Sequence, residues 1–308
     1  MVVVRITSQL ANQMFAYASI KTIAQEHGFE FKYIHEYCLA SERANASVDK
    51  KYGSNFDTIF PIPIEEKLTH IEKNIFTEHE EYEYIKKYNS FYYKEAIQIN
   101  DNTYMKGHFI SPKYFIHNIK KVKEWFRFPD DIEKETAETM QKIRNKNPKR
   151  KIVAVHFRVG NDYLLRGYLM NRSYWIEAAE YMLQKYGEVK FIVFCDKKTS
   201  AVEKFLNKYD CYFLHGSLVE DLCCMTKCDA YIISNSTYSM MGALLSNQAE
   251  PDVVRPSHYF TGYRTEQKNC FLDEWKVIDS KRDFRGFLFS LLKAGSIRNK
   301  IYDLAHPE

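Results

Sequence analysis

Apolar runs alternate with amphipathic stretches along much of the chain, and this alternation predicts an α/β fold. Residues 1–6 form an apolar run, followed by a polar turn at residues 7–9 and a helical pattern over residues 11–27 that ends at Gly28. The next apolar run covers residues 29–34. This strand, helix, strand order is typical of the start of a doubly wound parallel sheet.

The segment from residue 41 to residue 102 has weak periodicity and little Gly or Pro, and it is rich in Tyr, Phe, Lys and Glu. It supports one prediction, a helix near residues 64–73. Other elements in this segment are left open, because neither a period of two nor a period of 3.6 is sustained there.

The basic run at residues 145–151 ends a charged helical pattern that begins at Pro129 and Asp130. A run of this kind can bind phosphate, but it is more often a solvated linker. We therefore place a domain boundary here, which gives an N-terminal domain of residues 1–148 and a C-terminal domain of residues 149–308.

Beyond this boundary strands and helices alternate regularly, which predicts a parallel α/β sheet. In such a sheet, ligand groups lie at the carboxyl ends of the strands. The predicted strands are residues 151–157, 190–195, 211–214, 230–233 and 252–255, and the predicted helices are residues 173–186, 199–209, 220–227 and 237–245.

Composition narrows the class of protein. The 308 residues include 44 Lys and Arg against 40 Asp and Glu, a balance of +4 that is too small to indicate nucleic-acid binding by charge alone. No apolar stretch approaches the roughly 18 residues of a membrane-spanning helix, and the amino terminus lacks the features of a signal peptide. The seven cysteines are scattered through apolar segments, which predicts reduced thiols and a cytoplasmic protein.

The strongest chemical cluster is Val-His-Phe-Arg-Val-Gly-Asn-Asp-Tyr at residues 155–163, where an apolar strand ends. His156 and Arg158 are two apart, so a strand would project both to one face, while Gly160 permits a sharp turn. An arginine at this place suits a diphosphate leaving group. A structural arginine paired with Asp162 explains the same stretch equally well.

Two further clusters follow predicted strands. Ser236 and Thr237 open a predicted helix, where hydroxyl groups and backbone N–H groups form an anion site, although the same residues also serve as an ordinary N-cap. Asp196 follows the strand that ends at Cys195 and could accept hydrogen bonds from a base or ribose. Capping of the next helix is the alternative role for this aspartate.

The order of these clusters resembles the α-1,2-fucosyltransferase family, glycosyltransferase family 11, over nearly the whole chain. The family's motifs correspond to residues 10–18 (LANQMFAYA), 107–115 (GHFISPKYF), 156–163 (HFRVGNDY), 194–198 (FCDKK) and 235–243 (NSTYSMMGA), and its closing segments to residues 256–262 and 274–279. The chain departs from the pattern at Ser8, Gln9, Ala11, Val159, Asn161, Met240 and Met241.

The resemblance implies a GT-B fold, with two Rossmann-like domains that face a cleft, and an inverting transfer of L-fucose from GDP-β-L-fucose to the 2-OH of a galactose in a glycan. No metal or other cofactor is implied. The acceptor glycan can be lipid-linked, which leaves a peripheral position at the inner membrane face open. Two alternatives remain: transfer from another GDP-sugar, and binding of a sugar nucleotide without turnover.

Donor contacts implied by the resemblance fall in the C-terminal domain. Arg158 would bind the β-phosphate and His156 would lie beside the guanine and ribose. Asp196 would contact the guanine edge, and Ser236 with Thr237 would donate hydrogen bonds to the diphosphate.

Acceptor-side contacts implied by the resemblance fall in the N-terminal domain. Asn12 and Gln13 would line the cleft floor, and His108 and Tyr114 are candidates for contact with the acceptor.

Asp162 is the candidate general base, because Gly160 could lift its carboxylate into the cleft. A carboxylate that only braces Arg158 or the turn is the equal alternative.

Overall fold

The computed structural model describes residues 1–36, 53, 55–260 and 267–280, and they form two compact α/β units. Unit 1 contains the described residues of Met1–Asp131 together with Gln267–Asp273. Unit 2 contains the described residues between Ile132 and Glu266 and from Glu274 onward. Of the segments named above, residues 37–52, 54, 261–266 and 281–308 lie outside the described part of the chain.

Unit 1 is built on a parallel sheet with the strand order β3-β2-β1-β5-β4. Because the chain runs to one side of β1 and then to the other, the carboxyl ends of β1 and β5 form the switch point of this sheet. Its elements are β1 (Val2–Ile6), α1 (Leu10–Glu26), β2 (Phe31–His35), α2 (Phe56–Ile59), β3 (Lys67–Leu68), β4 (Thr77–Glu80), α3 (Glu81–Tyr88), β5 (Thr103–Lys106) and α4 (Ile119–Trp125).

The predicted helix near residues 64–73 is wrong. Ile64–Glu66 form a single 3₁₀ turn that follows Pro63, and the chain then extends into β3. Lys67 and Leu68 pair with Tyr33 and Ile34 of β2, so sheet pairing overrides the helical pattern of this segment.

Ser8, one of the positions at which the chain departs from the pattern that it resembles, has a left-handed backbone with φ of 73°. Its Oγ accepts a hydrogen bond from Asn12 Nδ2 at 3.0 Å, and its carbonyl oxygen accepts one from Gln13 Nε2 at 2.8 Å. Only glycine adopts this backbone without steric cost. The turn after β1 therefore stores strain.

We expect the free energy of unfolding of Ser8→Gly to exceed that of Ser8→Ala by about 1 kcal/mol. Both variants lack the hydroxyl group, but only alanine keeps the strain of the left-handed backbone. Urea unfolding of the two variants beside the wild type measures the difference. Equal stability of the glycine and alanine variants would show that the backbone at residue 8 is not strained in solution.

Unit 2 is also a parallel sheet, with the order β11-β10-β9-β6-β7-β8. The first strand, β6, is central and its neighbour β9 begins the other half, so their carboxyl ends form the switch point. The elements are α5 (Asp130–Lys146), β6 (Lys151–Phe157), α6 (Asn161–Arg166), α7 (Arg172–Tyr186), β7 (Val189–Cys195), α8 (Ser200–Lys208), β8 (Cys211–Phe213), α9 (Leu218–Thr226), β9 (Ala230–Ile232), α10 (Thr237–Leu244), β10 (Asp252–Pro256) and β11 (Lys276–Ile278).

The strands and helices predicted between residues 151 and 255 are confirmed to within about two residues at each end, the usual uncertainty of such bounds. The α/β class with two parallel sheets is confirmed as well. Alternate residues of β6, among them Val155 and Phe157, pack into one core with Trp175 of α7 and Phe205 of α8. The intervening residue His156 therefore points to the other face of the sheet.

Helix α5 belongs to unit 2 from Ile132 onward, so the structure divides within its first turn, whereas the sequence placed the boundary after the helix. Arg144 on α5 donates two hydrogen bonds to Asp229 at 2.8 and 3.1 Å and one to the carbonyl oxygen of Lys227 at 2.8 Å. Thr136 on the same helix contacts Cys223 Sγ at 3.1 Å. These contacts tie the helix to the sheet that follows it in sequence.

Residues 267–273 return to unit 1 after most of unit 2 has been traced. Lys268 donates its N–H to Asn89 and accepts the N–H of Phe91, at 2.9 and 3.0 Å. Lys113 Nζ then binds Asn269 Oδ1 at 2.9 Å and Asp273 Oδ2 at 2.8 Å. This returning segment is therefore an integral part of unit 1.

Within the described residues, none of the helices combines the length and the apolar character needed to span a bilayer. Five cysteines of unit 2 are free thiols, and four of them are buried: Cys195, Cys211, Cys223, Cys224 and Cys228. Cys38 lies outside the described residues. Burial raises the pKa of Cys195, Cys211 and Cys224 to about 12, which keeps these thiols protonated and unreactive.

Candidate active site

The predicted donor residues meet at one edge of unit 2. Because every strand of this sheet is parallel, the residues that follow β6, β7 and β9 lie along the same edge. Arg158 follows β6, Asp196 follows β7, and the segment from Ser234 to Thr237 joins β9 to α10. This edge includes the switch point, where open α/β sheets bind their ligands.

Arg158 lies between two carboxylates and an aromatic ring at this edge. Its guanidinium donates a hydrogen bond to Asp162 Oδ2 at 2.6 Å and another to Asp196 Oδ2, and its carbon lies 4.7 Å from the centre of the Tyr163 ring. Burial alone would lower the pKa of Arg158, but Tyr163, Asp196 and Asp162 together raise it above its usual value. The arginine is thus fixed in orientation before any ligand binds.

Asp196 organises the turn after β6. Its Oδ1 accepts the N–H of Val159 at 2.8 Å, and its Oδ2 accepts the N–H of Gly160 at 3.0 Å in addition to Arg158. Both carboxylate oxygens are therefore engaged, a role that differs from the contact with the guanine edge implied by the resemblance. The capping alternative is not observed either, since Thr199 is the N-cap of α8.

Gly160 is needed for a reason that the sequence did not show. Its φ of −64° is open to any residue, so the sharp turn does not require glycine. A Cβ at this position would instead lie 2.7 Å from Asp196 Oδ2 and 2.9 Å from Asp162 Oδ1. The glycine makes room for the two carboxylates that hold Arg158.

Asp162 stands in the first turn of α6, in an ion pair with Arg158 whose side chain is 16% exposed. This contact is the one expected of a brace. A general base, in contrast, needs a carboxylate oxygen that can accept the proton of a substrate hydroxyl. The structure thus shows a bracing contact through Oδ2, and the role of general base stays a prediction for Asp162.

We expect Asp162→Asn to weaken GDP binding severalfold as well as turnover, because an amide holds the guanidinium less tightly than a carboxylate. Calorimetry of GDP binding beside steady-state kinetics separates the two roles. A hundredfold fall in kcat with unchanged GDP affinity, about the size expected for loss of a general base, would return Asp162 to that role.

His156 is 5% exposed and lies in β6, two residues before Arg158. Its Nδ1 forms a 2.7 Å hydrogen bond with Ser234 Oγ, and its ring centre lies 5.5 Å from that of Tyr238. Burial and the nearby guanidinium of Arg158 lower the pKa of His156 to about 3, so the imidazole is neutral. A neutral ring can bind a ligand through a hydrogen bond without adding charge to the site.

Ser236 and Thr237 stand at the amino terminus of α10, as predicted. The Ser236 side chain accepts the N–H of Tyr238 at 3.4 Å, which makes it the N-cap. Ser239 contacts Ser234 through its hydroxyl group, at 3.2 Å to the Ser234 N–H. The backbone N–H groups at this helix end and their partial positive charge suit an anion.

Asp221 is a candidate that the sequence analysis missed. It lies in the first turn of α9, and its Oδ1 accepts the N–H of Gly216 at 2.9 Å. Burial raises the pKa of this carboxyl to about 7, and burial together with the nearby Asp221 raises the pKa of the Tyr238 phenol. In the sequence, Asp221 follows the capping box of Ser217 and Glu220, and acidic residues are common in a first helical turn, so nothing distinguishes it there.

In unit 1, Asn12 and Gln13 both serve the strained turn at Ser8. Gln13 is 3% exposed, and its Oε1 also accepts the N–H of Phe56 at 3.0 Å. Their contacts among the described residues support the turn after β1, at the switch point of this sheet.

His108 and Tyr114 differ in accessibility. Tyr114 is 2% exposed and its hydroxyl accepts the N–H of Tyr93, so it belongs to the core of unit 1. His108 follows β5 and is half-buried, with Nδ1 at 2.8 Å from Tyr82 Oη. Burial and the charge of Arg5 lower the pKa of His108 to about 4.

Metal ligands do not cluster in the described part of the chain: no three His, Cys, Asp or Glu side chains converge there on a common point.

Taken together, a neutral histidine, a fixed arginine and a helix amino terminus at the switch point define an α/β protein of the nucleotide-binding class. A sequence model described as "Glycosyl transferase family 11" matches residues 1–279. The chain therefore belongs to glycosyl transferase family 11, and the resemblance noted from its motifs is confirmed.

Two relatives come from Escherichia coli. An "Alpha-1,2-colitosyltransferase" is 29% identical over 177 residues, which are 54% of this chain and 58% of that protein. The "O-antigen biosynthesis glycosyltransferase WbnK" is 31% identical over 132 residues, 40% of this chain and 43% of that protein. The matches thus span about half the length of these curated relatives.

A solved structure, the NodZ alpha-1,6-fucosyltransferase of Bradyrhizobium soaked with GDP-fucose, is 14% identical over 80% of this chain and 92% of its own, with a TM-score of 0.48.

Proposed function

We propose that the chain is an inverting glycosyltransferase that moves L-fucose from GDP-β-L-fucose to the 2-OH of a galactose in a glycan acceptor. The observation that carries the proposal is Arg158, a half-buried and pre-oriented guanidinium at the switch point of unit 2. Departure of GDP builds negative charge on the diphosphate, and a fixed guanidinium stabilises that charge without reorganisation.

The donor nucleotide is assigned to the carboxyl edge of unit 2. Arg158 and the amino terminus of α10, with Ser236 and Thr237, bind the diphosphate. Asp221 accepts hydrogen bonds from the guanine edge, because a carboxylate matches the two adjacent N–H donors of that base, whereas Asp196 already accepts three hydrogen bonds from Arg158, Val159 and Gly160. His156 lies beside the base and ribose.

The acceptor is assigned to unit 1, the N-terminal domain, and a lipid-linked glycan at the inner membrane face is one form it can take. A second donor is supported by a specific finding, since one of the relatives is named for colitosyl transfer. Binding without turnover is supported by another: Arg158 already pairs with two carboxylates, Asp162 and Asp196, and their negative charge opposes the stabilisation of a leaving diphosphate.

The proposal is tested with a panel of GDP-fucose, GDP-colitose and other GDP-sugars, each with a galactose-terminated disaccharide. We expect GDP release that depends on the acceptor, with a 1,2-linked product identified by NMR. Release from a different GDP-sugar alone would change the donor. GDP binding without release from any donor would establish a binding protein.

We expect transfer to proceed unchanged in EDTA, because the proposal assigns neutralisation of the leaving diphosphate to Arg158 and α10 rather than to a divalent cation. Kinetics with and without chelator measure this directly. Loss of transfer that manganese or magnesium restores would transfer the role of Arg158 to a metal.

A further inference from the structure

A buried carboxyl group outside the donor site is left with an unusual set of contacts. Glu81, the first residue of α3, is 1% exposed. Its Oε2 accepts two backbone N–H groups, those of His108 and Phe109, both at 2.8 Å. Its Oε1 is buried and has no hydrogen-bond partner among the described residues. Burying a carboxyl in this way costs free energy that a packed apolar side chain would not.

The turn that Glu81 holds is itself strained. Phe109 has a φ of 48°, which is costly for an aromatic residue, and its carbonyl oxygen accepts the buried Ser19 hydroxyl at 3.0 Å. Gly107 is required beside it, since a Cβ there would lie 2.6 Å from both Cβ and Oε2 of Glu81. Strained backbone conformations that are held in place by surrounding contacts occur most often at functional sites.

The turn also stands where a ligand is expected. It follows β5 at the switch point of unit 1, beside the strained turn at Ser8. The backbone of His108 is fixed by Glu81 and its ring by Tyr82, whose hydroxyl is 2.8 Å from Nδ1. Nε2 has no hydrogen-bond partner among the described residues, and the half-buried side chain leaves it within reach of a ligand.

We propose that Glu81 is a positioning residue, which holds the turn of residues 107–109 so that His108 Nε2 binds a hydroxyl group of the acceptor sugar. The inference rests on the proposed function, because it takes the acceptor to be a sugar. A neutral imidazole with one nitrogen fixed offers its other nitrogen in a single direction, which suits discrimination among hydroxyl positions. Burial raises the pKa of Glu81 to about 7, although the two backbone hydrogen bonds oppose this shift. Keeping this carboxyl group away from water therefore costs free energy.

The test compares His108→Ala, Glu81→Ala and Glu81→Gln with Glu83→Ala, which removes an exposed carboxylate from the same helix. Acceptor and donor kinetics are measured on the full chain, with GDP affinity from calorimetry. We expect His108→Ala and Glu81→Ala to lower kcat/KM for the acceptor about tenfold or more, with donor KM and GDP affinity within about twofold. Glu81→Gln, which keeps an acceptor for both N–H groups, and Glu83→Ala should stay close to the wild type.

Unchanged acceptor kinetics in His108→Ala would overturn the proposal, as would equal losses for donor and acceptor in Glu81→Ala. If Glu81→Ala does not fold, Glu81→Asp takes its place: its shorter side chain cannot reach both N–H groups, so its kcat/KM for the acceptor must fall as that of His108→Ala does, while Glu81→Gln stays close to the wild type. These failures differ from failure of the proposed function, in which the wild type itself transfers no sugar from any donor.

Discussion

Arg158→Lys is expected to lower kcat for sugar transfer about a hundredfold or more, because one ammonium cannot replace a guanidinium that stabilises a departing diphosphate. The lysine also cannot contact Asp162 and Asp196 together while stacking on Tyr163. One of the two carboxylates is then left without a cation. Initial rates of GDP release at saturating donor and acceptor measure the loss.

The matched control for this variant is Arg144→Lys. Arg144 also binds a carboxylate with two hydrogen bonds, but its partner Asp229 precedes β9, at the opposite edge of the sheet from Arg158. This control should lower the free energy of unfolding and leave kcat unchanged. Turnover close to that of the wild type in Arg158→Lys would refute the assignment of the diphosphate to Arg158.

Asp221→Asn is expected to weaken GDP binding about tenfold or more, because an amide replaces one charged acceptor of the guanine edge with a donor. The wild type should also bind GDP more tightly as pH rises. Burial raises the pKa of Asp221 from 3.8 to about 7, so below that pH the carboxyl must lose a proton before it can accept both N–H groups. Calorimetry between pH 5.5 and pH 8 should show this dependence in the wild type and not in the variant.

The free energy of unfolding, in contrast to GDP affinity, should fall as pH rises. A carboxyl whose pKa is raised on folding favours the folded state at pH values below its unfolded pKa, and this contribution is lost as pH rises through the folded pKa. For Asp221 the loss falls between about pH 4 and pH 7. Asp252→Asn, at the amino end of β10, is the control and should change neither trend. GDP affinity that is independent of pH in the wild type would exclude Asp221 as the contact with the base.

The sequence predicted the second unit far better than the first, and the reason is burial. Strands such as Val189–Cys195 are covered on both faces, so they appear as continuous apolar runs. In unit 1, β4 is Thr-Glu-His-Glu at the edge of the sheet, and β3 has only two residues. Polar edge strands carry no such pattern, so pairing partners far along the chain decide their structure.

The same limit applies to the candidate site. The motifs located Arg158 and the turn that follows it, because a strand end is visible in the sequence. The pairing of Arg158 with Asp196 joins residues 38 positions apart, and no local pattern reports it. Glu81 and Asp221 escaped notice for a related reason, since an acidic residue in a first helical turn is ordinary until its burial is known.

The returning segment, residues 267–273, sets an order of events during synthesis. Residues 1–131 leave the ribosome long before Lys268, so unit 1 lacks the partner of Asn89 and Phe91 until β6 to β10 have already been made. Domains generally fold as they emerge from the ribosome, but unit 1, which emerges first, is complete only after residues 267–273 have been made. A fragment that stops at Asp131 would therefore leave these backbone groups, and Lys113, without the contacts that the last part of the chain supplies. Dissection of the two units requires residues 267–273 to be spliced onto the first, not a single cut between them.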